Sequence, residues 1–113
     1  MPYIEAKLSI KLDEDQKNDL QAKLTNAVSI ALSKPKAYIM AGIEDEKTLY
    51  MAEKKLDKGA YISVKMLGSA SKSACQNLTA GICDILSAYA IEGSNVYVTY
   101  HPVELWGWNG SMF

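Results

Sequence analysis

The chain repeats its own pattern of residues at a fixed distance, and this repeat limits the folds that it can adopt. Two apolar stripes occur at helical spacing, and each member of the second stands 58 positions after its counterpart in the first. The stripes comprise Leu20, Leu24, Ala27, Val28 and Ala31, and Leu78, Ile82, Ile85, Leu86 and Tyr89. The strand-like segments 3–7 and 61–65, and 38–40 and 96–98, keep the same offset. We infer an internal duplication without a gap.

Each half of the duplication reads as a strand, a helix and a strand. Alternating apolar residues predict the strands, and apolar residues at helical spacing predict the helices. Asp13, with Gln16 three residues later, resembles a capping box that begins the first helix, and Pro35 ends that helix. The predicted elements are Pro2–Ile10, about Glu14–Ser33, Ala37–Ile43, Tyr61–Leu67, Ser71–Ala90 and Asn95–Tyr100.

Two such units predict an α+β domain over residues 1–113, with a duplicated βαβ architecture. The pseudo-repeats span about 2–44 and 60–101, and a C-terminal tail follows over 102–113. We expect a four-stranded mixed sheet with both helices on one face. Tyr, Ile, Val and Met occupy both faces of the strands, so the second face is expected to be apolar and to need a cover. A homo-oligomer that closes its sheets around a shared core would provide it.

The charge balance argues against several kinds of partner. The net charge is −1 and the isoelectric point about 5.8, which leaves no electrostatic footprint for nucleic acid or an anionic membrane. No apolar run approaches the roughly 18 residues of a membrane span, and the first residues do not resemble a secretion signal. We therefore expect a cytoplasmic protein, with export by a route without a signal peptide left open. Cys75 and Cys83 lack metal-site spacing, so no metal is expected.

Pro2 is the residue with the most distinctive chemistry. Methionine aminopeptidase removes Met1 when the second residue is small, which would leave Pro2 as a secondary amine at the start of the chain. A free α-amino group has a pKa of about 7.7–8.0, and burial or a nearby cation such as Lys34 would lower it. A neutral amine can then accept a proton at physiological pH. From the Met-Pro dipeptide alone, the favoured interpretation is a proline that merely begins an edge strand.

Short motifs along the whole chain add to this interpretation, and the most specific is the ending WGWNGSMF over residues 106–113. The others are Met1-Pro2 before a short strand, Ser33-Lys34-Pro35 and Tyr38-Ile39-Met40 after the first helix, Ser63-Val64 with Gly68 on and beyond the third strand, and Asn95-Val96-Tyr97-Val98 on the fourth. Together these motifs resemble the tautomerase superfamily, in its branch of macrophage migration inhibitory factor and D-dopachrome tautomerase.

The resemblance implies a homotrimer with active sites at subunit interfaces, and tautomerisation of small aromatic α-keto acids such as phenylpyruvate, or of dopachrome-like compounds. It implies no metal and no cofactor. By the same resemblance Pro2 is the catalytic base, Lys34 pairs with the substrate carboxylate, and the backbone N–H of Val64 receives the substrate oxygen. Tyr97 would reach the site from a neighbouring subunit. The rim residues that the resemblance assigns are Tyr38, Trp106, Trp108 and Phe113.

Several positions depart from the family's pattern, and three of them concern the candidate site. Thr99 stands where the family often has Asn, and it keeps a hydroxyl with a different reach. Lys65 stands where a glycine usually follows Ser63-Val64. Trp106 is bulkier than the valine of the vertebrate protein, so these positions bear on which substrate fits.

Two other functions remain as alternatives. The first is a cytokine-like factor that binds a protein receptor and has residual or no enzymatic activity, with Pro2 as a relic. The second is a ferredoxin-like RNA-binding domain, which has the same order of strands and helices. The sequence disfavours the second alternative because it lacks an aromatic RNA-binding strand motif and a basic surface.

Overall fold

Two strand–helix–strand units make up most of the structure, a computed structural model that describes residues 1–113. Its strands and helices are β1 (Pro2–Leu8), α1 (Glu14–Leu32), β2 (Met40–Glu44), β3 (Tyr50–Met51), β4 (Lys54–Lys55), β5 (Ala60–Leu67), α2 (Lys72–Ser87), β6 (Val96–Val103), β7 (Gly107–Trp108) and β8 (Ser111–Met112). Short 3-10 turns at Lys36–Tyr38 and Gly93–Asn95 precede β2 and β6. Neither helix combines the length and hydropathy that a membrane crossing requires.

The four long strands form one sheet in the order β2-β1-β5-β6. β1 is parallel to β2 and β5 is parallel to β6, whereas the central pair β1 and β5 is antiparallel. Both helices pack on the same face, where they bury the alternate residues of the central strands. The predicted α+β fold, with a mixed four-stranded sheet and two helices on one face, is confirmed.

The core is built from equivalent positions of the two halves. Each helix contributes three buried residues one turn apart: Leu20, Leu24 and Val28 from α1, and Leu78, Ile82 and Leu86 from α2. These residues pack on the buried positions of the central strands, among them Ile4, Ala6, Ile62 and Val64. In both elements the offset between the halves is 58, as the sequence predicts.

The offset changes to 57 in the outer strands, so the prediction of a duplication without a gap is wrong there. Ile4 pairs with Ala41 in the first half, and Ile62 pairs with Val98 in the second. The second half is one residue shorter than the first, and this difference arises where the chain leaves the helix. The first left-handed residue after α1 is Ser33, and the one after α2 is Ala90, which comes one residue earlier in its repeat.

The helix boundaries follow local chemistry. The predicted capping box is present, since Asp13 accepts from the N–H of Gln16 and the Gln16 side chain accepts from the N–H of Asp13. α2 ends at Ser87, earlier than predicted, because residues 88–90 form a turn. β2 begins only at Met40, because the 3-10 turn after Pro35 takes up the residues predicted as its start. β6 continues through Pro102, which an edge strand tolerates.

The sheet face opposite the helices is polar, so the prediction of a second apolar face is wrong. Its three central rows are Tyr3, Lys65 and His101; Glu5, Ser63 and Thr99; and Lys7, Tyr61 and Tyr97. Hydrogen bonds connect them: Thr99 Oγ1 lies 2.8 Å from the hydroxyl of Tyr61 and 2.8 Å from Nε2 of His101. In these rows the neighbouring apolar residues alternate onto the helix side instead, and apolar side chains return to the open face only at the strand ends, at Leu67 and Val103. We call this polar surface the open face.

Two small hairpins lie outside the main sheet. The tail folds back through Asn109 and Gly110, which have φ values of 52° and 80°, so that Trp108 pairs with Ser111. Two consecutive residues with positive φ are typical of a type I′ turn, for which Asn-Gly is the preferred sequence. The other hairpin pairs β3 with β4 through Ala52 and Glu53, also at positive φ.

Candidate functional site

A cavity of about 400 Å³ opens beside the start of the chain. Its wall is formed by residues 1–3, by residues 37–40 after the first 3-10 turn, by Lys65 on β5 and by residues 106–108 of the tail. Most of these side chains are apolar or aromatic. A concave apolar pocket with a few polar groups is the usual form of a small-molecule site.

Pro2 is fixed in this wall by the central strands of the sheet. It begins β1, its side chain is buried, and it pairs with Met66 on β5. One residue earlier, the carbonyl oxygen of Met1 accepts a hydrogen bond from the N–H of Leu67 at 3.4 Å. The start of the chain therefore belongs to the sheet and is held against the cavity.

Aromatic rings of the tail and of the segment before β2 form one side of the cavity. Tyr38 meets Trp108 edge to face, with ring centroids 5.9 Å apart, and Trp108 stacks on Phe113 at the same distance. The N–H of Phe113 also donates to the carbonyl oxygen of Trp106 at 3.0 Å. The Asn-Gly hairpin thus presents Trp106 and Trp108 to the cavity.

The electrostatics at the chain start favour a neutral amine. Burial first, and then the positive charge of Lys34, lower the pKa of the N-terminal amine of Met1. Tyr3, also on the wall, donates from its hydroxyl to Glu5 at 3.2 Å. Burial, and after it the charge and hydrogen bond of Glu5, raise the pKa of that hydroxyl, so Tyr3 stays protonated. Gly42 leaves room for the side chain of Tyr3, because a Cβ at position 42 would lie 2.5 Å from the hydroxyl oxygen of Tyr3.

Lys65 is the one residue with a charged side chain on the cavity wall. Its Nζ atom donates to Oγ of Ser63 at 3.4 Å and lies 6.0 Å from the centre of the Tyr3 ring. No carboxylate lies within ion-pairing distance of it. The wall therefore carries a cation without a counter-ion.

A second cavity of about 220 Å³ lies between the end of α1 and the start of α2. Lys34 is its one charged residue, and Met66, Ser69 and Ser71 are among its other lining residues. The backbone of Lys34 is fixed from α1: its N–H donates to the carbonyl oxygen of Ser29, and Oγ of Ser29 donates to its carbonyl oxygen at 2.6 Å.

The structure brings only some of the predicted site residues to the cavity. Pro2, Tyr38, Trp106 and Trp108 line it, and Phe113 packs behind Trp108. Three predicted residues are not on its wall, namely Lys34, Val64 and Tyr97.

Each of these three residues has a different position. Lys34 lines the second cavity, although its charge reaches the N-terminal amine. Val64 is fully buried in a central strand, paired with Ile4 on one side and Tyr100 on the other, so its backbone lies within the sheet. Tyr97 is 65% exposed on the open face of edge strand β6.

Tyr3, Ile39, Met40 and Lys65 line the cavity but were not predicted as site residues. Lys65 carried a usable signal, since a lysine there departs from the family's glycine. Tyr3 directly follows Pro2, but no sequence pattern indicates that its ring turns towards the cavity. No group of three or more His, Cys, Asp or Glu side chains lies where it could hold a metal ion.

Comparisons with known proteins identify a family and similar folds. The family model described as macrophage migration inhibitory factor (MIF) matches residues 1–113. Leishmania major MIF2 has a similar structure, with 24% identity and a TM-score of 0.92 over 100% of this chain and 97% of that one. A macrophage migration inhibitory factor-like protein from Entamoeba histolytica gives 24% identity and a TM-score of 0.89, over 99% and 98% of the two chains.

A third similar structure is the macrophage migration inhibitory factor homologue from Prochlorococcus marinus. It is 25% identical to this chain, with a TM-score of 0.88 over 98% of each chain. A comparison with curated proteins found no match. The similarity therefore extends over the full length of the fold.

Proposed function

Since the chain belongs to the macrophage migration inhibitory factor family, we propose that it is a keto–enol tautomerase whose general base is the amine of Pro2, set free by removal of Met1. The burial of Pro2 in the wall of an aromatic cavity carries this proposal. In the chain with Met1, the nitrogen of Pro2 is an amide and cannot accept a proton. The activity is therefore assigned to the processed chain alone.

The environment of the chain start supports a neutral amine. Burial and the charge of Lys34 already lower the pKa of the amine on Met1, which is only half-buried. Removal of Met1 would move the amine to Pro2, which is buried. We expect the pKa of this amine to be lowered by the same causes, which raises the fraction of neutral amine near neutral pH.

The reaction removes one proton from a carbon atom and adds one proton to an oxygen atom. In the keto-to-enol direction, Pro2 takes a proton from the carbon next to the keto group, and the electron pair moves to the keto oxygen to give an enolate. The protonated amine then gives up this proton to that oxygen, directly or through a bridging water molecule, and Pro2 is neutral again. The enolate oxygen also needs a hydrogen-bond donor. We favour water in this role over the N–H of Val64, because Val64 is paired with a strand on each side.

An aromatic α-keto acid of the phenylpyruvate type fits these groups. Its ring would contact Tyr38, Trp106 and Trp108, which exclude water and so strengthen polar contacts. Its carboxylate would pair with Lys34 as a flexible point charge. We further propose a homotrimer in which Tyr97 of a neighbouring subunit completes the site, in a cytoplasmic protein.

The test compares enol consumption by the processed chain, by its Pro2→Gly variant and by the chain that retains Met1. The processed chain, with loss of Met1 confirmed by intact mass, is assayed for ketonisation of phenylpyruvate enol by ultraviolet absorbance. We expect Pro2→Gly to lower kcat/KM about 10²-fold or more, as for the loss of a positioned base. The matched control is the chain that retains Met1, which should be equally inactive although every side chain is present. If Pro2→Gly or the chain that retains Met1 were as active as the processed chain, the assignment of Pro2 would be overturned.

A further inference from the structure

Lys65 occupies an unusual electrostatic position in the Pro2 cavity. Its ammonium group offers three donors, and only the long contact to Ser63 uses one of them. Lys7, on the same open face, is instead neutralised by Glu5 at 3.6 Å. Around Lys65 the wall is mostly apolar or aromatic and contains no acidic side chain. A half-buried cation in such surroundings attracts an anion more strongly than a solvated one does.

A second cation lies on the other side of Pro2. Pro2 lines the first cavity, and its strand partner Met66 lines the second, where Lys34 is the one charged residue. Neither Lys34 nor Lys65 has a carboxylate partner within 4.0 Å. The Pro2–Met66 pair therefore separates two cavities, and each cavity contains one lysine without a carboxylate partner.

We propose, on the basis of the tautomerase function proposed above, that the substrate is an α-keto acid with a second carboxylate. Lys65 holds the second carboxylate on the wall of the Pro2 cavity, and Lys34, from the neighbouring cavity, attracts the carboxylate next to the keto group. The reacting carbon then lies at Pro2, between the two cations. Lys65 is a specificity-determining residue in this arrangement and takes no part in proton transfer.

Binding of unreactive ligands tests Lys65 without turnover. The ligands are 3-phenylpropanoate and its para-carboxylated analogue, and the readout is quenching of the fluorescence of Trp106 and Trp108, the chain's two tryptophans. We expect the dicarboxylate to bind about tenfold more tightly, as for one charge-assisted hydrogen bond. Lys65→Met should abolish this preference and Lys65→Arg should keep it. Lys7→Met, the matched control on the same face, should also keep it.

Kinetics with phenylpyruvate and (4-carboxyphenyl)pyruvate separate the two proposals. If the processed chain is active but Lys65→Met leaves the ratio of the two kcat/KM values unchanged, the role of Lys65 is overturned and the tautomerase function stands. This includes the case in which kcat/KM falls by the same factor for both substrates, because Lys65 would then bind the carboxylate that the two substrates share. If neither substrate reacts but the binding preference depends on Lys65, the tautomerase function fails and the anion site remains.

Discussion

Pro2 pairs with Met66 across the two central strands, and each residue of this pair faces a different cavity. The cavity that Pro2 lines has the aromatic wall and Lys65, and the cavity that Met66 lines contains Lys34. β1 and β5 are both interior strands of the sheet, so each of them is paired on both sides. Pro2 and Lys65 are thus positioned by strand pairing, and Lys34 by its hydrogen bonds to Ser29 at the end of α1.

The amine of Pro2 should titrate at a higher pH in Lys34→Met than in the wild type. The positive charge of Lys34 disfavours the protonated amine, so its removal raises the pKa. Because only the neutral amine accepts a proton, kcat/KM should rise with pH through this pKa, and the rise should move to higher pH in the variant. The measurement is the pH dependence of kcat/KM, together with an NMR titration of labelled Pro2.

Lys36→Met is the matched control for this prediction. Lys36 lies two residues further along the chain, and it is not among the groups that shift the pKa of the N-terminal amine. Its variant should keep the wild-type pH profile. An equal shift in both variants would mean that general surface charge, and not the position of Lys34, sets the pKa.

Gly110→Val should disorder the tail hairpin and leave the core folded. Gly110 has a φ of 80°, a conformation that a β-branched residue adopts only with strain. The hairpin buries little apolar surface of its own, so we expect a loss of local order at a cost of about 1–2 kcal/mol. The stacking of Trp108 on Phe113 would be lost, which near-ultraviolet circular dichroism measures. Asn109→Gly keeps a residue suited to positive φ and should retain the spectrum; loss of signal in both variants would contradict the turn assignment.

Much of the fold was predictable because its elements obey simple periodicities. Leu20, Leu24 and Val28 are buried one turn apart, and alternate residues of β1 are buried, as the pattern requires. The change of offset to 57 was not predictable, because the left-handed residue after α2 is Ala90, which carries no glycine or asparagine signal. The type I′ hairpin at Asn109 could have been predicted from its Asn-Gly sequence.

The site was predictable only in part, because cavity membership depends on how side chains of distant segments pack. Pro2 and Trp108 were identified through motifs, and both lie on the wall. The separation of Lys34 from the cavity of Lys65 depends on which member of the Pro2–Met66 pair lines the same cavity as each lysine. No spacing within a single sequence contains that information.

The two glycines Gly81 and Gly59 should respond in opposite ways to replacement by alanine. Gly81 lies inside α2, and a Cβ there would meet nothing within 4 Å, so Gly81→Ala should stabilise the protein by about 0.5–1 kcal/mol. At Gly59 a Cβ would lie 2.6 Å from Cδ1 of Leu56 and 3.3 Å from the carbonyl oxygen of Asn95, so Gly59→Ala should destabilise it. Urea unfolding of both variants gives the free energies. A destabilised Gly81→Ala would show that this part of α2 is covered by another surface.

Tyr89 should contribute to stability in a pH-dependent way. Its hydroxyl donates to a carboxylate oxygen of Asp19 at 2.7 Å, and burial, followed by this hydrogen bond, raises the pKa of Tyr89 to about 12. Unfolded tyrosine titrates near pH 10, so between about pH 10 and 12 the unfolded chain binds fewer protons than the folded one. The free energy of unfolding therefore falls as pH rises through this range.

Tyr89→Phe should be less stable than the wild type below pH 10, by at most about 1 kcal/mol because the bond is exposed to solvent. The deficit should shrink as the pH rises from about 10 to 12, since the wild type alone loses this hydrogen bond. Urea unfolding at a series of pH values measures both effects. Tyr50→Phe is the control, because Tyr50 is an exposed tyrosine without a side-chain hydrogen bond and its variant should follow the wild type throughout. A deficit of Tyr89→Phe that stays constant up to pH 12 would show that Tyr89 acts through packing rather than through its bond to Asp19.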